Sequence, residues 1–260
     1  MKRLLGRARR VGMRKLLWVV LVINMLVLLY PSIVSTAEMK DRYDYEQTGK
    51  AIWDIPTTKP LIALTFDDGP HPVYTEKIME ILDRYDAKAT FFVTGEQVEK
   101  LPDVVKKAAE HGHEIGNHTY HHVPLLGISK SELRSEIKQT EKLIVEATGV
   151  HPRLFRPVAG YYDDVIIETA AEEQYQVIMW SWHQDSRDWA NPGVGKIIRN
   201  VLPNVHPGDI ILFHDAGGKR VQTVQALEVI IPALIEDGYE LVTVTDLIKL
   251  TNHWTLFEHL

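Results

Sequence analysis

The order of apolar and polar positions divides the chain into three stretches. The first, up to Ala37, is a polar lead followed by an apolar run from Leu16 to Val34, broken only by Asn24, Pro31 and Ser32. It shows no amphipathic period and so does not read as a core helix. The second, residues 38–60, is mixed and polar, contains Pro56 and Pro60, and reads as a linker or lead-in strand. From Leu61 onward, short apolar runs alternate with longer stretches of helical spacing. Strands are predicted at Leu61–Phe66, Ala89–Val93, His113–Gly116, Leu154–Arg156, Gln176–Ser181, Asp209–Phe213 and Glu240–Val244. Helices are predicted at Tyr74–Tyr85, Glu96–His111, Ser129–Thr148, Asp164–Glu173, Gly195–Leu202 and Val221–Glu236, with a short one from Thr245. The fullest helix signal is at Ser129, an N-cap with Glu132 completing a capping box and Gly149 just past the end.

Strands that alternate with helices imply a parallel sheet with helices outside it. Seven such units closing on themselves make an α/β fold, a distorted (β/α) barrel one unit short of the usual eight. No repeat or second domain is visible. Residues 61–250 therefore read as one catalytic-sized domain and 251–260 as a tail.

Charge changes the picture of the first stretch. Residues 1–37 carry seven Lys or Arg and no acid. Basic, then apolar, then the small residues Ser35-Thr36-Ala37 is the layout of a secretory signal peptide. The run is also nearly long enough for an uncleaved membrane anchor. Either reading places Glu38 onward outside the membrane, secreted or anchored at its outer face, with membrane contact only through the N-terminal segment. Removing those seven positives from a formal net charge of −6 leaves −13 for the rest. So acidic a body argues against a nucleic-acid partner. The absence of cysteine excludes disulfides, thiolate nucleophiles and cysteine-bound zinc.

In parallel α/β folds, reactive groups gather at the carboxyl ends of the strands. The residues that follow the predicted strands here are Asp67-Asp68, then Asn117 to His122, Arg156-Pro157, Asp185 with Asp188-Trp189, and His214-Asp215. His118 and His122, four apart, have the spacing that sets two imidazoles on one side of a helical turn. In a chain with twelve histidines that spacing alone is a weak signal, and Asp-Gly-Pro alone is ordinary turn chemistry.

Together these segments resemble the polysaccharide deacetylases, the NodB-homology domain of carbohydrate esterase family four. Thr65-Phe66-Asp67-Asp68-Gly69-Pro70 is similar to the first family motif and His118-Thr119-Tyr120-His121-His122 to the second. Arg156-Pro157-Val158-Ala159-Gly160 is a looser form of the third, with Ala159 where the family has Tyr and Val158 where it often has Pro. Asp185-Ser186-Arg187-Asp188-Trp189 and Leu212-Phe213-His214 resemble the fourth and fifth. All five occur in order.

The resemblance implies a barrel fold and a metal-dependent hydrolase that removes N-acetyl groups from a cell-wall or chitin-like polysaccharide of GlcNAc or MurNAc units. It implies one divalent metal held by Asp68, His118 and His122, with zinc first and cobalt, nickel, manganese or iron as alternatives. It makes Asp67 the general base toward a metal-held water and Arg156 its orienting partner. It makes His214 the acid that protonates the leaving amine, with Asp188 keeping His214 charged and correctly turned. A backbone N–H near Ala159 would receive the oxyanion, and Trp189 and Leu212 would line a pocket for the acetyl methyl. Thr119 would brace the histidine loop by a hydrogen bond, and Tyr161 or Tyr162 would stand in for the missing motif-three tyrosine. The same family also hydrolyses O-acetyl esters, a competing reading. An inactive carbohydrate-binding relative should have lost a ligand, base or acid, yet all are present here. Asp185 reads equally as loop cap or catalyst. His111, His113, His121, His151, His183 and His206 read as surface or satisfied histidines, and Tyr74, Trp180 and Trp182 as core before sugar platforms.

Overall fold

The computed structural model describes residues 40–253 of the 260-residue chain. The basic and apolar segment up to Ala37, where the export or anchor reading falls, lies outside the described residues. Among the described residues no helix is long and apolar enough to cross a membrane.

Among the described residues eight strands pair in parallel throughout. They are β1 (Ala51–Ile52), β2 (Leu61–Asp67), β3 (Ala89–Val93), β4 (Glu114–Asn117), β5 (Leu154–Phe155), β6 (Gln176–Ile178), β7 (Ile210–His214) and β8 (Glu240–Leu241). The sheet runs β1-β6-β5-β4-β3-β2-β7, and β8 pairs with the start of β2. All seven strands expected from the sequence are present; β1 is the addition. Residues 38–60, read as a linker or lead-in strand, do supply a strand, with a helix before it. They hold helix α1 (Arg42–Gln47), capped by Asp41, and β1, which pairs with β6. Two residues of strand are too short to show a period.

The sheet curls into a distorted barrel. On the side between β6 and β7, irregular chain takes over the pairing. Ser181 N–H donates to the carbonyl of Ile210, Leu212 N–H to that of Gln184, and Ser186 N–H to that of Leu212. Below them Ile55 N–H donates to the carbonyl of Gly208.

Alternation along the strands decides what faces the site. On β2, Ile62, Leu64 and Phe66 point out under the helices, so Ala63, Thr65 and Asp67 point in. On β7, Ile211 and Phe213 point out and Ile210, Leu212 and His214 in. Outside, Phe66 stacks between Phe91 and Phe213, at centroid distances of 5.1 and 5.7 Å. Strands buried on both faces explain why the sequence shows continuous apolar runs here.

The outer helices are α2 (Tyr74–Arg84), α3 (Gly95–Lys100), α4 (Pro102–Glu110), α5 (Lys130–Thr148), α6 (Asp164–Glu172), α7 (Val194–Val201), α8 (Val221–Glu236) and α9 (Val244–Thr251). Helix α5 has the expected capping box and ends at Gly149 with φ of 74°. The single helix expected over 96–111 is two, α3 and α4. Proline lacks an N–H and drives the residue before it out of the helical region, so Leu101 sits at φ −136°, ψ 50° and the chain restarts at Pro102. The 251–260 tail begins one residue late, since α9 reaches Thr251; residues 254–260 lie outside the described residues.

Candidate active site

The inward residues at the ends of β2 and β7 are neighbours, with Asp67 in register with His214. Behind them lies Arg156, wholly buried at the end of β5. Its Nη1 donates to Asp67 Oδ1 at 2.9 Å and to Thr65 Oγ1 at 2.7 Å. Its Nε donates to the carbonyl of Ile178 at 3.0 Å and its Nη2 to that of Met179 at 2.7 Å. Phe92 covers its plane, with Cζ 4.2 Å from the ring centroid. A buried carboxylate needs a partner of opposite charge, and Arg156 is held from three sides so that one nitrogen fixes one oxygen of Asp67.

Asp68 follows at φ 76°, a left-handed conformation that turns its side chain away from that of Asp67. Its Oδ1 lies 3.1 Å from His122 Nε2 and 3.6 Å from His118 Nε2. The three candidate ligand atoms lie within 4.8 Å of one another. His118 is buried, and its Nδ1 meets the carbonyl of Arg156 at 2.7 Å. A carbonyl only accepts, so Nδ1 carries the proton and Nε2 presents its lone pair toward Asp68. This carbonyl-held imidazole is the usual outer support of a metal ligand. Burial pushes the His118 imidazole below its ordinary value, favouring the neutral ring that ligation requires. Burial opposes the Asp68 charge, but the bond from His122 and the nearby His118 and His214 hold its carboxyl well below the usual carboxylate range. A neutral imidazole donor, a second histidine and an ionised carboxylate facing one point fit a divalent cation.

The histidine loop is not the helical turn that the spacing suggested. Thr119 at φ 67° and His122 at φ 54° break any helix and fold the two rings together, at a centroid distance of 5.2 Å. The Asn117 side chain accepts from Thr119 N–H. Glu136 on α5 accepts from the N–H groups of Tyr120 and His121, at 2.9 and 2.8 Å, and its other oxygen meets His121 Nδ1 at 2.7 Å. The brace is therefore Glu136 and not the Thr119 hydroxyl, which has no partner among the described residues. His121, read as a surface or satisfied histidine, is satisfied by Glu136 and is part of this brace.

Opposite the triad, His214 Nδ1 lies 2.7 Å from Asp188 Oδ1. The other Asp188 oxygen accepts from His214 N–H at 2.9 Å and from Thr223 Oγ1 at 2.8 Å. Asp188 is buried, so its second oxygen is satisfied by neutral donors while the first orients the ring. Burial pushes the His214 imidazole down, yet the bond and charge of Asp188 outweigh it and hold the ring above its ordinary value. Asp188 is correspondingly held down against its own burial.

These groups open onto one cleft of about 480 Å³, lined by Asp67, Asp68, His118, His122, Ala159, Trp189, Leu212 and His214. Arg156 and Asp188 stand behind it. Ala159 adopts φ 56°, ψ 17° at the mouth. Neither Tyr161 nor Tyr162 lines the cleft, and Tyr162 instead packs edge-on against Tyr45 and Trp53, at 5.8 and 5.1 Å. The cleft also receives Trp180, read from sequence as core, and Arg220. Arg220 is buried, with Nε donating to the carbonyl of Ala216 at 2.6 Å. Gly217 at φ 69° lets the chain pass Asp68, whose Oδ2 would lie 2.2 Å from any Cβ there. Arg220 follows the fifth motif by six residues and carries no local signal; only its place after the β7 end could have pointed to it.

The polysaccharide deacetylase profile matches residues 54–178. A peptidoglycan-N-acetylglucosamine deacetylase of Bacillus cereus is 46% identical over 208 residues, covering 80% of this chain and 97% of that protein. The chain belongs to the polysaccharide deacetylase family. A chitooligosaccharide deacetylase of a Bradyrhizobium strain is 35% identical over 192 residues, 69% of this chain and 87% of that protein. The fold agrees with the crystal structure of a peptidoglycan N-acetylglucosamine deacetylase in complex with a naphthalenyl N-oxidanyl-benzamide, at a TM-score of 0.76 and 36% identity, covering 80% of this chain and 97% of that one. The deacetylase has its fourth and fifth motifs, with Asp188 and His214, beyond the stretch that the profile matches.

Proposed function

We propose that the deacetylase hydrolyses N-acetyl groups on GlcNAc-type units of peptidoglycan. The observation that carries this is one cleft with an Arg-held carboxylate, Asp67, beside a three-donor cation set and facing a carboxylate-held imidazole, His214. The names of the relatives support the sugar and the polymer.

A divalent cation held by Asp68, His118 and His122, zinc foremost, would activate a water and polarise the acetyl carbonyl. Asp67, fixed by Arg156 with one oxygen left toward the cleft, is placed to take a proton from the attacking water. His214 has Nδ1 committed to Asp188, so its Nε2 is the atom that delivers a proton to the departing amine. An amine leaves poorly without one, and Asp188, by holding the imidazole above its ordinary value, favours the charged ring that carries that proton. Leu212 and Trp189 offer the acetyl methyl an apolar wall, and Trp180 a face for a sugar ring. The basic and apolar N-terminal sequence supports action outside the cytoplasmic membrane.

The test uses the tag-free full chain in mild detergent, stripped of metal and reloaded with zinc or cobalt. Acetate release is followed on purified peptidoglycan, chitooligosaccharides and acetylated xylan, with Asp68→Ala as control. Metal-dependent release, greatest on peptidoglycan and absent in Asp68→Ala, is the expected result. Release without metal, or release only from xylan, overturns the reading.

A further inference from the structure

Two histidines that looked unremarkable in sequence meet at the end of β7 opposite His214. His183 lies in the irregular segment after β6, and His206 in the turn before β7. His183 Nε2 is 3.1 Å from Asp209 Oδ2 and 3.1 Å from His206 Nδ1. The third edge, His206 Nδ1 to Asp209 Oδ2, is 4.0 Å. Ligand atoms of a tetrahedral zinc lie about 3.3 Å from one another, given bonds near 2.0–2.1 Å. The edges straddle that value, as do the 3.1 and 3.6 Å edges of the catalytic triad.

One proton on His183 Nε2 can serve only one of the two 3.1 Å edges, whereas a cation serves all three donors. The donors are also held in place. Asp209 is buried, and its Oδ2 accepts from His206 N–H at 2.8 Å. Gln184, next to His183, donates its side-chain N–H to the carbonyl of Asn204 at 2.7 Å, tying the two loops together. The imidazoles remain partly exposed, so a cation can enter and water can complete its shell. Asp209 and His214 mark opposite ends of β7, about 16 Å apart at the usual strand rise. The group is therefore separate from the catalytic triad.

We propose that His183, His206 and Asp209 form a second divalent-cation site of the zinc class, with two imidazoles and one carboxylate. It clamps the segment 181–186 to the root of β7. That segment pairs with β7 through Ser181, Gln184 and Ser186 and leads directly to Asp188. A cation there ties the loop that carries Asp188 to the strand that carries His214.

Zinc or cobalt content of the tag-free full chain after equilibrium dialysis tests this. The wild-type chain is compared with His206→Ala and His183→Ala, with circular dichroism to confirm folding. Each variant is expected to hold one equivalent fewer than wild type, with loss of the corresponding cobalt absorption. Equal metal content in wild type and variants overturns the proposal. Should an alanine variant not fold, His206→Gln, which cannot donate an imidazole nitrogen, gives the same comparison. Failure of the catalytic triad to bind metal would be read separately, as wild type holding one equivalent that vanishes in His206→Ala.

Discussion

Replacement of Arg156 by alanine tests the centre of the site most severely. The substitution removes four side-chain hydrogen bonds, to Asp67, Thr65 and the carbonyls of Ile178 and Met179. It leaves Asp67, 4% exposed, without its countercharge. Removing one partner of a buried ion pair destabilises by about 3–5 kcal/mol, and two orphaned carbonyls push toward the upper end. For a domain of this size each kcal/mol shifts Tm by about 2–4 °C, so a fall of about 6–20 °C is expected. Activity should fall by about 10²–10⁴, the usual worth of a positioned general base. Metal affinity should change far less, because His118 is braced by the backbone carbonyl of Arg156, which alanine retains. Arg156→Lys keeps the charge but cannot reach all four acceptors, and should fall between. Thermal unfolding, acetate release and metal titration on the three proteins separate these effects. A Tm within about 2 °C of wild type, or metal loss as large as the loss of turnover, would refute the assignment of Arg156 to Asp67.

The outer supports make further expectations. Glu136→Ala removes the three bonds that hold Tyr120 and His121 and leaves the Asn117 bond to Thr119, so metal affinity should weaken by about 10–100-fold with little change in kcat at saturating metal; an unchanged metal titration would remove Glu136 from the site. Asp188→Asn removes the charge that holds His214 up, so the alkaline limb of the kcat profile should move to lower pH; a limb that stays in place would show that another group supplies the proton. In the intact protein the same raised imidazole adds stability below its unfolded value, lost as pH rises through the folded one. His113 has the opposite sign. It is buried, neither ring nitrogen has a partner among the described residues, and burial, then Lys88, pushes the imidazole down to about 4. Its folded form therefore binds fewer protons than the unfolded chain between about pH 6.5 and 4, and stability should drop by about 3 kcal/mol across that window. His113→Leu should flatten this limb in acid-dependent unfolding, and an unchanged limb would refute the assignment.

How far the sequence reached into this molecule depended on the range of the information. Strand runs are local, and they put Asp67 and His214 at strand carboxyl ends, but continuous apolar runs do not tell that Phe66 and Phe213 face outward. The cap at Ser129 and the stop at Gly149 are local too. Leu101-Pro102 was a local signal passed over, because apolar spacing continues across it. Beyond a few residues, periodicity stops informing. His118 and His122 do share a ligand set, but not for the reason that their spacing suggests. Left-handed turns bring the rings together, and those turns are held by Glu136, fifteen and sixteen residues further along from the amides it binds. Only the five-motif resemblance, which carries the memory of a fold, brought the site together at the level of sequence.

His183 and His206 show the limit of that memory. They lie beside recognised motifs but belong to none, and 23 residues separate them. What unites them is backbone pairing between an irregular segment and β7, a closure of the barrel that no apolar period encodes. A side chain can be dismissed from sequence only when its partners are near it in the chain. Asp209 made this failure sharper, since as the first residue of a predicted strand it read as a boundary. In the fold it is a buried carboxylate with one oxygen facing two imidazoles. Buried carboxylates require compensation, so that oxygen, more than the histidines, marks the place where a cation belongs.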